Sequence, residues 1–119
     1  MSALDYFKMR LEATVSPMDV KMMRESQPES FVLIDVRLGP KPCKAQGAIE
    51  IPQTEIVVRV GELPKDKLLV LYCWETWCSL AVKAAVPLLE AGFRVKEMYG
   101  GIAAWEAMGL PTEPAEIGR

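Results

Sequence analysis

Two mainly apolar segments, each seven residues long, constrain the fold of this chain more than any other feature. FVLIDVR covers Phe31 to Arg37, and KLLVLYC covers Lys67 to Cys73. Runs of this kind are typical of strands buried on both faces, which belong to parallel sheets. A helical pattern, Ser79 to Ala91, follows the second run and stops at Gly92. This alternation predicts an α/β fold with a mainly parallel central sheet flanked by helices on both faces.

The N-terminal part of the chain predicts two helices joined by the extended dipeptide TV. Leu4 to Ala13 mixes apolar and charged residues as an amphipathic helix does. Ser16 is a good N-cap, and Pro17 suits the first position of the second helix. Met18 and Met22 lie four residues apart on that helix, and we expect them to pack in the core.

The rest of the chain predicts a loop, a strand and two short helices. LGPKPCKAQG, residues 38–47, is broken by glycine and proline and predicts a loop of about ten residues, after which AIEIP is extended. TEIVVRVGELP, residues 54–64, is predicted to be a short helix with Ile56 and Val57 on its apolar side. Phe93 to Met98 alternates as a more exposed strand, and IAAWEAMG is a closing helix with Trp105 in the core.

Composition excludes several classes of function. The chain has 119 residues, half of them hydrophobic, which suits one compact domain. Its net charge of −2 gives no field that attracts nucleic acid or an anionic membrane. No apolar run approaches the roughly 20 residues of a membrane-spanning helix, so we expect a soluble, cytoplasmic protein. Because the chain has no histidine and only three cysteines, we expect no Cys-His catalysis, no metal and no cofactor.

Two of the three cysteines flank one short turn in YCWETWCSL, Tyr72 to Leu80. Cys73 closes the second buried strand, and parallel sheets bind ligands beyond the carboxyl ends of their strands. The turn leads into a helix whose unpaired N–H groups favour a thiolate, so we predict a pKa for Cys73 below the ordinary value of about 8.5. Three roles stay open for Cys78: an inert buried residue, a resolving thiol that forms a disulfide with Cys73 and, least favoured because too few other ligands exist, a metal ligand.

The order of these segments resembles the rhodanese family. FVLIDVR, the loop leading to GAIEIP, LLVLYC with its turn and helix, and GFRVKEMYGGIAAWEAMGLP follow one another from Phe31 to Pro111. The family's Gly-His-Ile-Pro-Gly-Ala stretch is reduced here to AQGAI. The resemblance implies a single rhodanese-like domain over residues 1–119, with a core at about 16–111, a helical extension at 1–15 and a tail at 112–119.

The resemblance also implies a chemistry, because the family moves sulfane sulfur through a cysteine persulfide. By position, Cys73 would carry the sulfur, taken from a small donor or a protein persulfide and passed to a thiol or cyanide, without a cofactor. The family places an arginine where this chain has Cys78, so the active loop is atypical. Because that cation is missing and Glu75 adds negative charge, we predict weak activity with thiosulfate. Trp74 and Trp77 are expected to wall the pocket. The predicted active loop comprises Trp74, Glu75, Thr76, Trp77, Cys78 and Ser79.

Two further features lie outside the loop. Asp35 and Arg37 match the family's DVR motif, and they either pair with other charges at the sheet edge or contact substrate, with Arg37 as a possible anion contact. Cys43 lies between Lys41 and Lys44, whose charges would favour its thiolate. We predict that Cys43 is exposed and has no role.

The sequence therefore leaves three functions open. The leading one is a single-domain sulfurtransferase that uses Cys73. The second is a catalytically inactive rhodanese-like module that binds or regulates another protein, which the missing arginine favours. The third is a thiol oxidoreductase that works through Cys73 and Cys78. Neither nucleic acid nor a membrane is an expected partner.

Overall fold

The computed structural model describes residues 1–116 as an α/β fold around a five-stranded sheet. The strands are β1 (Thr14–Val15), β2 (Phe31–Asp35), β3 (Cys43–Ala45), β4 (Ile49–Glu50), β5 (Leu68–Tyr72), β6 (Arg94–Met98) and β7 (Thr112–Pro114). The helices are α1 (Ala3–Ala13), α2 (Pro17–Ser26), α3 (Leu80–Glu90) and α4 (Gly101–Ala107). The main sheet has the order β1-β6-β5-β2-β4, and all its neighbours are parallel. The predicted fold class is confirmed.

Capping signals in the sequence set the starts of the first two helices. The Ser2 side chain accepts a hydrogen bond from the Asp5 backbone, and the Asp5 side chain accepts one from the Ser2 backbone. Ser16 and Asp19 form the same reciprocal box at the start of α2, with Pro17 in the first turn. The prediction for Ser16 and Pro17 is confirmed.

The central strands are buried on both faces because their side chains alternate between two cores. Leu71 and Cys73 face the core on the α3 side, whereas Val70 and Tyr72 face the core that α2 and α4 cover. Trp105 of α4 is buried in this second core, as predicted. The alternation thus places the sulfur of Cys73 on the side of the sheet where α3 begins.

The predicted burial of Met18 and Met22 is wrong. Their side chains are 45% and 58% exposed. Helix α2 instead turns Val20 and Met23 toward the core, and the helical period places Met18 and Met22 on the opposite face.

The helix predicted over residues 54–64 is also wrong. The segment consists of two short 3-10 helices, Gln53–Glu55 and Val60–Glu62, joined by turns. Ile56 is buried as predicted, but Val57 is 58% exposed. The run of β-branched residues, which lowers helix propensity, is consistent with this irregular backbone.

Residues 38–47 do not form a continuous loop, because they contain β3. This strand pairs antiparallel with β7, which lies in the segment predicted as a tail. The Lys44 ammonium is 3.5 Å from the Glu113 carboxylate across the pair. Residues 117–119 of the predicted tail lie outside the described residues. Because β3 and β7 lie far apart in the sequence, no local sequence pattern predicts that they pair.

The predicted N-terminal extension contains the edge of the sheet as well as α1. Strand β1 pairs with β6. All eleven residues of α1 are exposed, and the helix contacts the body mainly through β1 and β6. Within residues 1–116, no helix is both long enough and apolar enough to cross a membrane.

Candidate active site

The predicted active loop lies at the carboxyl edge of the sheet, between β5 and α3. Two backbone amides at the start of α4 hold its first residues: Ile102 N–H donates to the Cys73 carbonyl at 3.0 Å, and Ala103 N–H to the Trp74 carbonyl at 3.1 Å. Gly101 makes this contact possible, since a Cβ there would lie 2.5 Å from the Cys73 carbonyl oxygen. The loop is therefore anchored by helices on both faces of the sheet.

The sulfur of Cys73 faces the turn that follows it. Its residue is only 3% exposed, and the Cys73 thiol donates to the carbonyl oxygen of Cys78 at 3.4 Å. The backbones of Trp74 and Ala81 form hydrogen bonds to the sulfur, so it sits in the amide cradle expected at the start of α3.

The prediction of a lowered pKa for Cys73 is nevertheless wrong. Burial, followed by the hydrogen bond to the Cys78 side chain, raises the pKa of Cys73 to about 11. The backbone hydrogen bonds from Ala81 and Trp74 act in the opposite direction but do not outweigh these effects. At neutral pH, Cys73 in the resting chain is therefore a thiol.

Cys78 is the more acidic of the two cysteines. Burial acts to raise its pKa, but hydrogen bonds from the Cys73 side chain and from the backbones of Trp74 and Leu80 lower it below the ordinary value, with help from the charge of Lys83. The residue is 9% exposed. Of the two thiols, Cys78 is therefore the one on which negative charge is better stabilised.

The remaining loop residues shape the turn. The Glu75 carbonyl accepts from Cys78 N–H at 3.0 Å, and the Glu75 carboxylate accepts from Thr76 N–H at 2.7 Å. Ser79 starts α3 through its backbone, because its carbonyl accepts from Lys83 N–H. Thr76 and Ser79 are exposed, so neither residue belongs to the hydrophobic core.

Asp35 and Arg37 pair with each other beneath the loop. The Arg37 guanidinium donates to both carboxylate oxygens of Asp35, with a shortest distance of 2.7 Å, and both side chains are buried. The guanidinium also lies over the Trp74 ring, 4.7 Å from its centroid. The structure thus places the pair in a structural role that supports Trp74, and a contribution of Arg37 to anion binding stays a prediction.

Tyr72 completes this buried network and was not singled out from the sequence. Its hydroxyl donates to Asp35 Oδ2 at 2.8 Å and accepts from Ala45 N–H at 2.9 Å, which ties β5 to β2 and β3. Burial, then the charge of Asp35, raises the pKa of Tyr72 far above its ordinary range, so the hydroxyl stays protonated. A polar residue in an otherwise apolar strand was the available signal.

An open cavity of about 490 Å³ lies beside the loop. Its walls include the two loop tryptophans, of which Trp77 is 75% exposed, and they also include Glu75 and Arg37. The full lining is Arg37, Pro42, Cys43, Trp74, Glu75, Trp77, Ile102, Ala103 and Glu106. Trp74 and Trp77 thus wall this cavity, but neither Cys73 nor Cys78 is among the residues that line it, so their role in a pocket for the reactive thiol stays a prediction.

Cys43 is at the far wall of the cavity, and its surroundings differ from the prediction. It is only partly exposed, and its thiol donates to Glu106 Oε1 at 3.7 Å. Burial, then the charge of Glu106, raises the pKa of Cys43. The neighbouring Lys41 and Lys44 do not favour its thiolate, because both are buried against Glu50. We assign Cys43 no role in sulfur chemistry.

Comparison with known proteins identifies the family. The rhodanese-like domain family matches residues 16–108, so the chain belongs to it. A sulfurtransferase from Allochromatium vinosum is 34% identical over 98 residues, which cover 78% of this chain and 88% of the relative. A full-length protein of known structure from Lactobacillus plantarum is 30% identical, with a TM-score of 0.88 over 94% of this chain and 96% of its own.

One relative differs in size from this chain. The HTH-type transcriptional regulator Rv0324 of Mycobacterium tuberculosis is 33% identical over 105 residues. The match covers 82% of this chain but only 45% of the regulator, so the chain spans less than half the length of that relative.

Proposed function

We propose that this chain is a sulfurtransferase that carries sulfane sulfur as a persulfide on Cys73. The family match and the sulfurtransferase relative support sulfurtransferase activity in general. The observation that carries the finer proposal is the position of the Cys73 sulfur, at the carboxyl end of a central strand and within hydrogen-bonding reach of Trp74 and Ala81 amides. Those donors stabilise the negative charge that a persulfide anion bears.

The first step must remove a proton from Cys73, since its pKa is about 11. Cys78 lies at the same turn as Cys73 and is the more acidic thiol, so its thiolate accepts that proton as Cys73 attacks the donor's sulfane sulfur. The bond between the sulfane sulfur and the donor breaks, and the donor's remainder leaves with the electron pair. A thiol acceptor then attacks the outer sulfur and restores Cys73. Cys78 thus acts as the general base, a role that is often taken by histidine, which this chain lacks.

The charges around the loop favour a weakly charged donor. The family's arginine position holds Cys78, and the guanidinium of Arg37 is already bound by Asp35. Glu75 adds a negative charge to the wall of the cavity. A small or protein-borne persulfide is therefore a better donor than the doubly charged thiosulfate, and a thiol is the natural acceptor.

Steady-state transfer from a low-molecular-weight persulfide to a thiol tests this proposal. We expect Cys73→Ser to lower kcat/KM at least a hundredfold and Cys43→Ser to change it less than twofold. We also expect thiosulfate to be used at least tenfold less efficiently than the persulfide. Substantial activity in Cys73→Ser would overturn the assignment of the carrier, and thiosulfate turnover equal to that of the persulfide would overturn the donor preference.

A binding module without turnover is the second candidate. The raised pKa of Cys73 and the absence of the family's loop arginine both favour it. A relative named as a transcriptional regulator is consistent with a regulatory use of the fold. This candidate predicts that neither thiosulfate nor a persulfide leaves sulfur on any of the three cysteines.

A further inference from the structure

The two loop cysteines share one cradle of backbone amides. The backbone of Trp74 acts on the pKa of both thiols, and each thiol acts on the pKa of the other. The Cys73 sulfur is also 3.4 Å from the Cys78 carbonyl oxygen, and Cys78 N–H closes the turn onto the Glu75 carbonyl. The second cysteine thus lies at the same turn as the sulfur that would carry the persulfide, with its carbonyl oxygen in contact with that sulfur.

We propose that Cys78 attacks the inner sulfur of the Cys73 persulfide and releases the sulfane sulfur as hydrosulfide, leaving a Cys73–Cys78 disulfide. The inference rests on the proposed function, because it needs the persulfide to form. It adds a second activity, the reductive release of sulfide, to sulfur transfer.

The atoms and electrons of this step balance within the loop. The reactants are the Cys73 persulfide anion and the Cys78 thiol, which gained its proton in the preceding step. The bond between the two cysteine sulfurs forms, the bond to the outer sulfur breaks, and the Cys78 proton leaves with that sulfur as hydrosulfide. The two cysteines lose two electrons and the sulfane sulfur gains them. A dithiol reductant then returns both cysteines to thiols and is itself oxidised to a disulfide.

The chemistry of the leaving group favours attack on the inner sulfur. Attack on the outer sulfur would expel the Cys73 thiolate, whose acid is weak because the site is buried and the pKa is about 11. Attack on the inner sulfur expels hydrosulfide, the anion of a stronger acid, and lower-pKa leaving groups depart faster. Cys78 is the more acidic thiol of the pair, so at a given pH a larger fraction of Cys78 than of Cys73 is in the nucleophilic thiolate form.

A Cys73–Cys78 disulfide requires the loop to close, because both cysteines are free thiols in the structure. Their sulfurs must come together to form a bond of about 2.05 Å. Thr76 and Trp77, between the two cysteines, are exposed, so the outer turn can shift without disturbing the core. The strand end at Cys73 stays anchored by the Ile102 amide. The movement that closes the loop is therefore confined to its exposed outer residues, Thr76 and Trp77.

Single-turnover loading in the absence of oxygen and reductant tests the proposal. The reduced chain is exposed to a low-molecular-weight persulfide, freed of excess donor and followed by intact mass and sulfide release. We expect the wild-type chain to lose the added sulfur, end two hydrogens lighter than the reduced chain, and release about one sulfide per chain. Cys78→Ser, and Cys78→Ala as a second variant, should retain the sulfur at least tenfold longer. Cys43→Ser should match the wild type, and unloaded wild type should keep its reduced mass.

The outcomes separate this inference from the proposed function. A wild-type persulfide that lasts as long as the one in Cys78→Ser would overturn the inference and leave the sulfur carrier intact. Sulfide release without an internal disulfide would do the same. A failure of every chain to take up sulfur would overturn the proposed function and the inference together.

Discussion

Replacing Tyr72 with phenylalanine removes one oxygen from the buried network beneath the active loop. The hydroxyl donates to Asp35 at 2.8 Å and accepts from Ala45 N–H at 2.9 Å, and the side chain is fully buried. Loss of a hydrogen bond to a carboxylate costs about 1.5–3 kcal/mol, and an unpaired buried N–H costs about 1–3 kcal/mol. Asp35 keeps its bonds to Arg37, which limits the first cost. We therefore expect a loss of about 3 kcal/mol in the free energy of unfolding.

Urea denaturation measures this loss directly. With an m value of about 1.5 kcal/mol per molar urea, the midpoint should fall by roughly 2 M at unchanged m. Tyr99→Phe is the matched control, because Tyr99 is 39% exposed and its ring contact with Arg10 survives the change. That control should shift the unfolding free energy by less than about 0.5 kcal/mol. A Tyr72→Phe loss as small as the control's would refute the view that this hydroxyl ties β3 to the central strands.

Three further predictions follow from the loop and its supports. Gly101→Ala should destabilise the fold by about 2–4 kcal/mol in the same denaturation assay. Gly101 has a positive φ of 56°, and a Cβ added there would clash with backbone atoms of Cys73 and Trp74. A variant that unfolds at the wild-type urea midpoint would contradict the anchoring of the loop. Glu75→Gln should lower the KM for thiosulfate about two- to fivefold in low salt and less in high salt, because it removes a negative charge that repels this anion. The KM for an uncharged donor should not change. An effect on thiosulfate that is independent of salt would contradict an electrostatic origin. Because the pKa of Cys73 is raised in the folded chain, the stability it provides is present below the ordinary thiol pKa and is lost as the pH rises to about 11. Cys73→Ser should therefore lose less stability than the wild type over that interval, as measured by urea midpoints, and equal losses would contradict the burial of this thiol.

The sequence predicted the parts of the fold that local patterns encode. The two apolar runs became β2 and β5, and the helical pattern after the turn became α3, because period and length both signal such elements. The position of Cys73 at the carboxyl edge followed from the same strand and from the rule for parallel sheets. The family resemblance rested on the order of these segments and is confirmed by the family match.

The properties that depend on distant contacts were not predictable in this way. The amides at the start of α3 were visible in the sequence, but the burial of Cys73 and its hydrogen bond to Cys78 were not, and these reverse the direction of its pKa shift. Likewise, β3 forms only because β7 reaches it. Cys43 shows the same limit, since the side chain that governs its thiol is Glu106 and not the neighbouring lysines.

The location of the first sulfur atom taken up tests the central claim most directly. The reduced wild-type chain is mixed with a low-molecular-weight persulfide, quenched rapidly in acid and alkylated. Cleavage at Lys67 and Lys83 leaves Cys73 and Cys78 in one peptide, so fragment ions must distinguish them. We expect one added sulfur on Cys73 at the earliest times. Added sulfur on Cys78 or Cys43 with Cys73 unmodified, or on no cysteine at all, would contradict it.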